Sequence, residues 1–272
     1  MNYQTYLPPK HLSQIVRYYW SFDSVLNSKA DLLITSFADK YPRLIFQNLN
    51  DFDPIRTAEG LILPQCYLSG IDTQKSDYLM GNSFSHFGVS FYPHALKRLF
   101  KIDAHELINQ LPDINLFGAI DLDFQLQNAA SHLVRVDIIS AFLFKKLDNY
   151  GLNDALVDAL VFNQAITETS NIPTIQKKYK ISERQLERKF NAFIGVSPKK
   201  LQRITRFEKA LMLLQNAEYS QLTGIAYNLG YTDQSHFIKD FKSFSGFSPY
   251  AFITKNAVGA ESSSFIFNPL DV

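Results

Sequence analysis

Two stretches of this chain are copies of one pattern. IQKKYKISERQLERKF runs from Ile175 to Phe190 and is followed by GVSP from Gly195 to Pro198; IAYNLGYTDQSHFIKDF runs from Ile225 to Phe241 and is followed by GFSP from Gly246 to Pro249. Leu186, Phe190, Gly195, Ser197 and Pro198 recur 51 positions later as Phe237, Phe241, Gly246, Ser248 and Pro249, whereas Ile175 and Ile225 stand 50 apart, so the second copy carries one extra residue in its turn. Each copy reads as two short helices about a tight turn, and a unit of that kind presents one helix outward.

The local chemistry fixes where those helices begin. Ser182 and Asp233 stand where an N-cap is needed for the second helix of each copy, and Ser197 and Ser248 precede a proline, which suits serine as N-cap and proline at the first helical position. Between the copies, residues 198–214 read as one longer helix whose buried side is Leu201, Ile204, Leu211 and Leu214. In the first copy Leu186, Phe190 and Phe193 face inward. Arg184, Glu187, Arg188 and Asn191 fall at three- and four-residue spacing on the opposite side. The matching outward positions of the second copy are Ser235, Ile238 and Lys239, with Gln234 beside them.

Charge points the same way. The whole chain has a formal net charge of +1, but residues 171–255 hold 14 Lys and Arg against 6 Asp and Glu, a net of +8, and the residues before them carry a net of −5. A basic region on the duplicated part is the footprint expected for a polyanion partner; a merely solvated basic surface is the blander alternative. A major groove is wide enough for an α-helix, and there Arg188 could reach guanine and Gln234 adenine. Glu187 either accepts from cytosine or pairs with Arg184 or Arg188. Ile238 either meets a thymine methyl or packs under its own helix. Lys200, Arg203 and Lys242 are placed as phosphate partners, which position a protein without reading sequence.

The first half reads differently. Val16, Tyr18, Trp20 and Phe22 alternate with Arg17, Tyr19, Ser21 and Asp23, and residues 31–37, 43–47 and 87–91 are further strand-like runs separated by turn signals. They predict a small β-barrel or sandwich. Helical spacing follows at residues 94–101 and 103–109, with Asp103 as N-cap, then at 122–130 and 137–147. Ile138, Ile139, Phe142, Leu143 and Leu147 form a stripe that closes the core or pairs with a second copy, the core being the simpler reading. The fold class is therefore α+β: a regulatory or sensing domain over residues 1–150, an all-α double helix-turn-helix domain over 153–255, and a flexible tail over 256–272.

The duplicated helix-turn-helix, its single joining helix and the segment DQSHFIKDFKSFSGFSP at residues 233–249 closely resemble the DNA-binding domain of AraC/XylS-type transcriptional regulators. The likeness covers about one hundred residues, 153–254. It implies seven helices, with both recognition helices entering successive major grooves of one site. Lys180 departs from the family's usual glycine in the first turn. A left-handed lysine costs about 1 kcal/mol, so a slightly remodelled turn is expected there; Gly230 keeps the glycine in the second. YLPPKHLSQIVRYYW at residues 6–20 and FGVSFYPHALKRLF at 87–100 are similar to an uncharacterised N-terminal domain that precedes this module in many regulators, which implies a sensing role with no defined ligand.

Other chemistries are poorly supported. His86 and His94 lack the spacing of a metal site, Cys66 is a lone cysteine without a nucleophile motif, and no phosphate-binding glycine loop occurs. Trp20, Phe46 and Phe91, with Arg43, read either as the lining of a pocket or as an aromatic core, the core being the commoner explanation. The expected protein is a cytoplasmic transcription regulator, not an enzyme, without cofactor, metal or membrane association. Its partners are double-stranded DNA and, as further candidates, RNA polymerase, a small-molecule effector and a second copy of itself. The rival is a ligand-binding or interaction protein whose helical half mainly contacts a protein partner.

Overall fold

The computed structural model describes residues 1–25, 31–148, 154, 156–157, 172–215, 222–254 and 265–269. Nine strands are seen among them: β1 (Asn2–Tyr6), β2 (Val16–Ser24), β3 (Asp31–Ser36), β4 (Arg43–Gln47), β5 (Arg56–Thr57), β6 (Cys66–Ser69), β7 (Ser76–Gly81), β8 (Phe84–Phe91) and β9 (Phe265–Pro269). They form two antiparallel sheets, ordered β1-β2-β8-β4-β6 and β5-β7-β3-β9. The sheets face one another without closing into a barrel, so the sandwich alternative is the one realised.

Strand alternation sorts the aromatic residues. Successive side chains point to opposite faces of a sheet. Tyr18, Trp20 and Phe22 therefore project between the two sheets, beside Leu32, Ile55, Leu63, Tyr67, Met80 and Phe84. Tyr19 projects to the other side with Leu44, Phe46, Phe87, Val89 and Phe91. Against that outer face pack α1 (Ala95–Phe100), α2 (Leu122–Gln127) and α3 (His132–Asp148), through Leu96, Leu99, Leu126, Ile139 and Leu143. The stripe on α3 is thus used in the core: Ile139 and Leu143 are buried, and Ile138, Phe142 and Leu147 pack partly buried around them.

Two local expectations need correction. Residues 104–107 form a short 3-10 helix, but Asp103 makes no capping hydrogen bond; its carboxylate is taken by Lys97 Nζ instead. The tail expected to be flexible contains β9, which runs antiparallel to β3 with Ile34 opposite Phe267. Phe265 to Phe267 is only a short apolar run in a tail rich in Ser, Ala and Asn, and a pairing that rests on backbone hydrogen bonds leaves little trace in composition.

The helical half contains α4 (Ile172–Tyr179), α5 (Glu183–Phe193), α6 (Pro198–Gln215), α7 (Leu222–Asn228), α8 (Gln234–Ser245) and α9 (Pro249–Ile253). The linker expected near Asn149, Gly151 and Asn153 lies outside the described residues, as does the stretch 158–171. Leu186, Phe190, Ile204, Phe207, Leu211, Phe237, Phe241 and Phe244 build one core around α6. That core also takes in Phe37, Ala38 and Ile71 of the sandwich. The two halves are packed together through the segment that follows β3 and the loop that follows β6.

Candidate nucleic-acid interface

The two copies fold alike in detail. Ser182 caps α5 with a reciprocal box: its Oγ accepts from the Gln185 backbone N–H at 3.3 Å, and the Gln185 side chain accepts from the Ser182 N–H at 3.0 Å. Asp233 caps α8, accepting from the His236 N–H at 2.8 Å. Each such cap is worth about 1 kcal/mol. The expected serine caps before the prolines are also present: Ser197 accepts from the Lys200 N–H and Ser248 from the Ala251 N–H, both at 3.2 Å.

The first turn is not remodelled. Lys180 has φ +51°, in the left-handed region that Gly230 occupies with φ +71°. The following N–H groups make the same bond in both copies, Ile181 to the Gln176 carbonyl at 3.1 Å and Tyr231 to the Ala226 carbonyl at 2.9 Å. The closing hydrogen bond of the turn holds even where a side chain strains it.

Leu186 and Phe190 anchor α5, and Phe237 and Phe241 anchor α8. Their outward faces remain in water: Arg184, Glu187, Arg188 and Asn191 on the first, Ser235 and Lys239 on the second, and Lys242 at the end of α8 are exposed. Gln234 is half-buried, and its Oε1 accepts from Thr223 Oγ1 at 2.6 Å, so its carbonyl end is already held. Ile238 is half-buried and packs against the core of the helical half, which favours the packing alternative over a methyl contact.

The basic residues of α6 are less free than their sequence positions imply. Arg203 donates from Nε to Asp240 Oδ1 at 2.9 Å, and Tyr231 Oη donates to Asp240 Oδ2 at 3.1 Å. Asp240 is only 3% exposed. This triad ties the joining helix to the second reader, a role for Arg203 that helical spacing alone does not reveal. Lys200 lies over the Phe244 ring at 4.7 Å, and partial burial, with Arg203 adding like charge, lowers its pKa. Lys189, close to the first reader's polar face, pairs with Asp154.

The sandwich touches the first reader. A groove is lined by Asp103 and His105 on one side and by Ser182, Arg184, Glu187 and Arg188 on the other. Just beyond α5, Gly195 has φ +99°, and a Cβ there would stand 2.9 Å from the Ala104 carbonyl oxygen. Only glycine gives both the left-handed backbone and that approach.

Two helix-turn-helix units joined by one helix define the helical half as a duplicated helix-turn-helix domain. Residues 175–255 match a family model described as a helix-turn-helix domain, and residues 4–113 match a domain of unknown function (DUF6597). The chain thus pairs a region similar to a helix-turn-helix domain with one similar to a domain of unknown function. It is similar to an uncharacterized HTH-type transcriptional regulator of Haemophilus influenzae, 29% identical over 118 residues, a match that spans 43% of this chain and 38% of the relative's length. Among solved structures it is similar to ToxT from Vibrio cholerae, with a TM-score of 0.44, 14% identity and coverage of 93% of this chain and 99% of that one. A ToxT structure with bound unsaturated fatty acid gives a TM-score of 0.42 at 14% identity, covering 92% of this chain and 94% of the other.

Proposed function

We propose that the chain is a sequence-specific, DNA-binding transcription regulator whose N-terminal half controls the helical half. The observation that carries this reading is the equivalence of the two copies: capped helices at the same repeat positions, each anchored by paired apolar residues and each with its polar edge in water. Arg184, Arg188 and Asn191 on α5, with Ser235, Lys239 and the amide of Gln234 on α8, are the proposed base readers; Lys242 and Lys200 are proposed to hold phosphates. Two weak readers joined by one stiff helix raise each other's effective concentration on a duplex.

Control is proposed to run through the packed seam between the halves. Phe37, Ala38 and Ile71 sit in the helical core, Lys40 pairs with Glu208 of α6, and the Asp103 turn borders the groove beside α5. A duplex entering along α5 meets that turn, so a shift of the sandwich changes access to the first reader. RNA polymerase and a second copy of the chain are further proposed partners. No described helix is long and apolar enough to cross a membrane, and action on promoter DNA would place the protein in the cytoplasm. No catalytic role is proposed.

The test is a band-shift selection against genomic fragments. Retention of a small subset with a shared sequence supports the reading; equal retention of all fragments shows that no sequence is read. The rival, a helical half that binds a protein partner, is separated by salt. DNA affinity falls steeply with rising salt through counterion release, whereas an apolar contact changes much less.

A further inference from the structure

The space between the two sheets of the sandwich has no part in reading DNA. It is a cavity of about 130 Å³. An apolar cavity of about 150 Å³ accepts a benzene-sized molecule, so this one suits a body of a single ring. Trp20, Phe22, Tyr67 and Tyr78 give it aromatic walls, with Ile45 and Met80 among the aliphatic ones. From sequence, Trp20, Phe46, Phe91 and Arg43 read as core before pocket. Trp20 and Arg43 do line the cavity, while Phe46 and Phe91 belong to the other face of the sheet.

The polar groups on this wall are few and unbalanced. Arg43 supplies one positive charge, and its guanidinium pairs with Asp39. Asp72 is the carboxylate that lines the cavity itself, with Asp39 behind Arg43. His86 adds no charge near neutrality, since burial lowers its pKa to about 4. Tyr67 and Tyr78 stay neutral, both pushed up chiefly by burial. One guanidinium therefore faces two carboxylates. Burial, with Asp39 as a like charge, pushes Asp72 up to about 7 against the pull of Arg43, the behaviour of a carboxylate taken out of water. Trp20 Nε1 is buried with no hydrogen-bond partner.

We infer that this cavity is the effector site and that its ligand is a compact organic amine: a protonated nitrogen set against Asp72, and a body of one ring whose π face lies toward the indole N–H of Trp20. Aromatic walls favour the same charge, because a cation is attracted to a ring face. The inference deepens the proposal that the N-terminal half controls the helical half. Asp72 and Asp39 exchange both backbone hydrogen bonds, at 2.9 and 3.0 Å, and their neighbours Ile71, Phe37 and Ala38 are the residues packed into the helical core. Occupancy of the cavity thus bears on the seam directly.

Trp20 is the chain's single tryptophan, so its fluorescence reports on this cavity alone. Full-length protein without DNA is titrated with phenethylamine, with phenylacetate as the anionic counterpart and phenethyl alcohol as the neutral one. Saturable quenching or shift by the amine, with at least tenfold weaker binding of the other two, is expected. Asp72→Asn should weaken the amine at least tenfold and bring it level with the alcohol. If that variant does not fold, the ranking of the three probes on the unaltered protein, checked by the rise in melting temperature each causes, decides alone. Phenylacetate binding as tightly as the amine would make this an Arg43 anion site and overturn the inference, as would silence from all three probes. The band-shift, repeated with saturating amine, separates the two claims. Amine binding with no sequence-selective retention sinks the DNA reading only; selective retention without amine binding sinks the cavity assignment only.

Discussion

Phe37 of the sandwich stands edge-on to Phe207 of α6, ring centroids 6.4 Å apart and planes at 85°. The same ring meets Phe247 at 6.2 Å and Phe252 at 5.9 Å. Phe37 is fully buried, yet most of what buries it belongs to the other half of the protein. Phe37→Ala is expected to cost about 3–5 kcal/mol and to raise amide hydrogen exchange in α6 and α9 together. A loss confined to the strands would show that the seam is not shared.

Arg188 is exposed at the centre of the first polar edge, and Lys242 lies at the end of the second. Arg188→Ala is expected to lose about 1–3 kcal/mol of specific binding with little change on unrelated DNA. Lys242→Ala should weaken all sequences alike and reduce the salt slope by about one unit. Band-shifts at several salt concentrations measure both.

Lys180 holds a left-handed backbone at φ +51° with its side chain in solvent. Lys180→Gly relieves a strain of about 1 kcal/mol, offset in part by the greater freedom of glycine in the unfolded chain. A small rise in the denaturation midpoint with unchanged DNA binding is the expected result.

Asp240 accepts from both Arg203 and Tyr231. Removing one member of a buried pair leaves its partners without compensation, so Asp240→Ala should cost about 3 kcal/mol; Arg203 is 41% exposed and can return to water, which keeps the loss at the lower end. Arg203→Ala should lower stability as well as DNA affinity. A pure phosphate contact would lower affinity alone, and thermal melts beside binding curves distinguish the two.

The Asp72 carboxyl rises from 3.8 to about 7 on folding, mainly through burial. Between those values the folded chain binds a proton that the unfolded chain has released, so stability falls as pH rises through this window. His86, lowered from 6.5 to about 4, acts oppositely: the unfolded chain holds the extra proton, and stability rises with pH across that range. Asp72→Asn removes only the falling contribution. Urea midpoints from pH 4 to pH 7 should therefore climb more steeply in the variant than in the unaltered protein.

Much of the helical half is readable from the residues because its determinants are local. Ser182, Asp233, Ser197 and Ser248 cap the helices they precede, and the three- and four-residue spacing of Leu186, Phe190 and Phe193 sets an inside and an outside. What escapes is whatever depends on a distant partner. Arg203 looks like any helix-surface arginine until Asp240, a turn into another helix, is seen beside it. Gln234 looks free until Thr223 is found at its carbonyl. In the sandwich, β2 announces itself by alternation and β3, β4 and β8 as apolar or β-branched runs, whereas β1, β6 and β7 carry too many polar or small residues for their length. Trp20 and Phe46 are equally aromatic in sequence; strand parity and the position of the second sheet put one on a cavity wall and the other under a helix.

β9 lies along β3 and covers a strand edge of the smaller sheet. Dissecting the protein at the junction of its halves would consequently not yield two self-contained fragments. The N-terminal piece would lose a strand and offer raw backbone to its neighbours, inviting edge-to-edge clumping, so measurements on an isolated sensor would report a surface that the intact protein keeps covered.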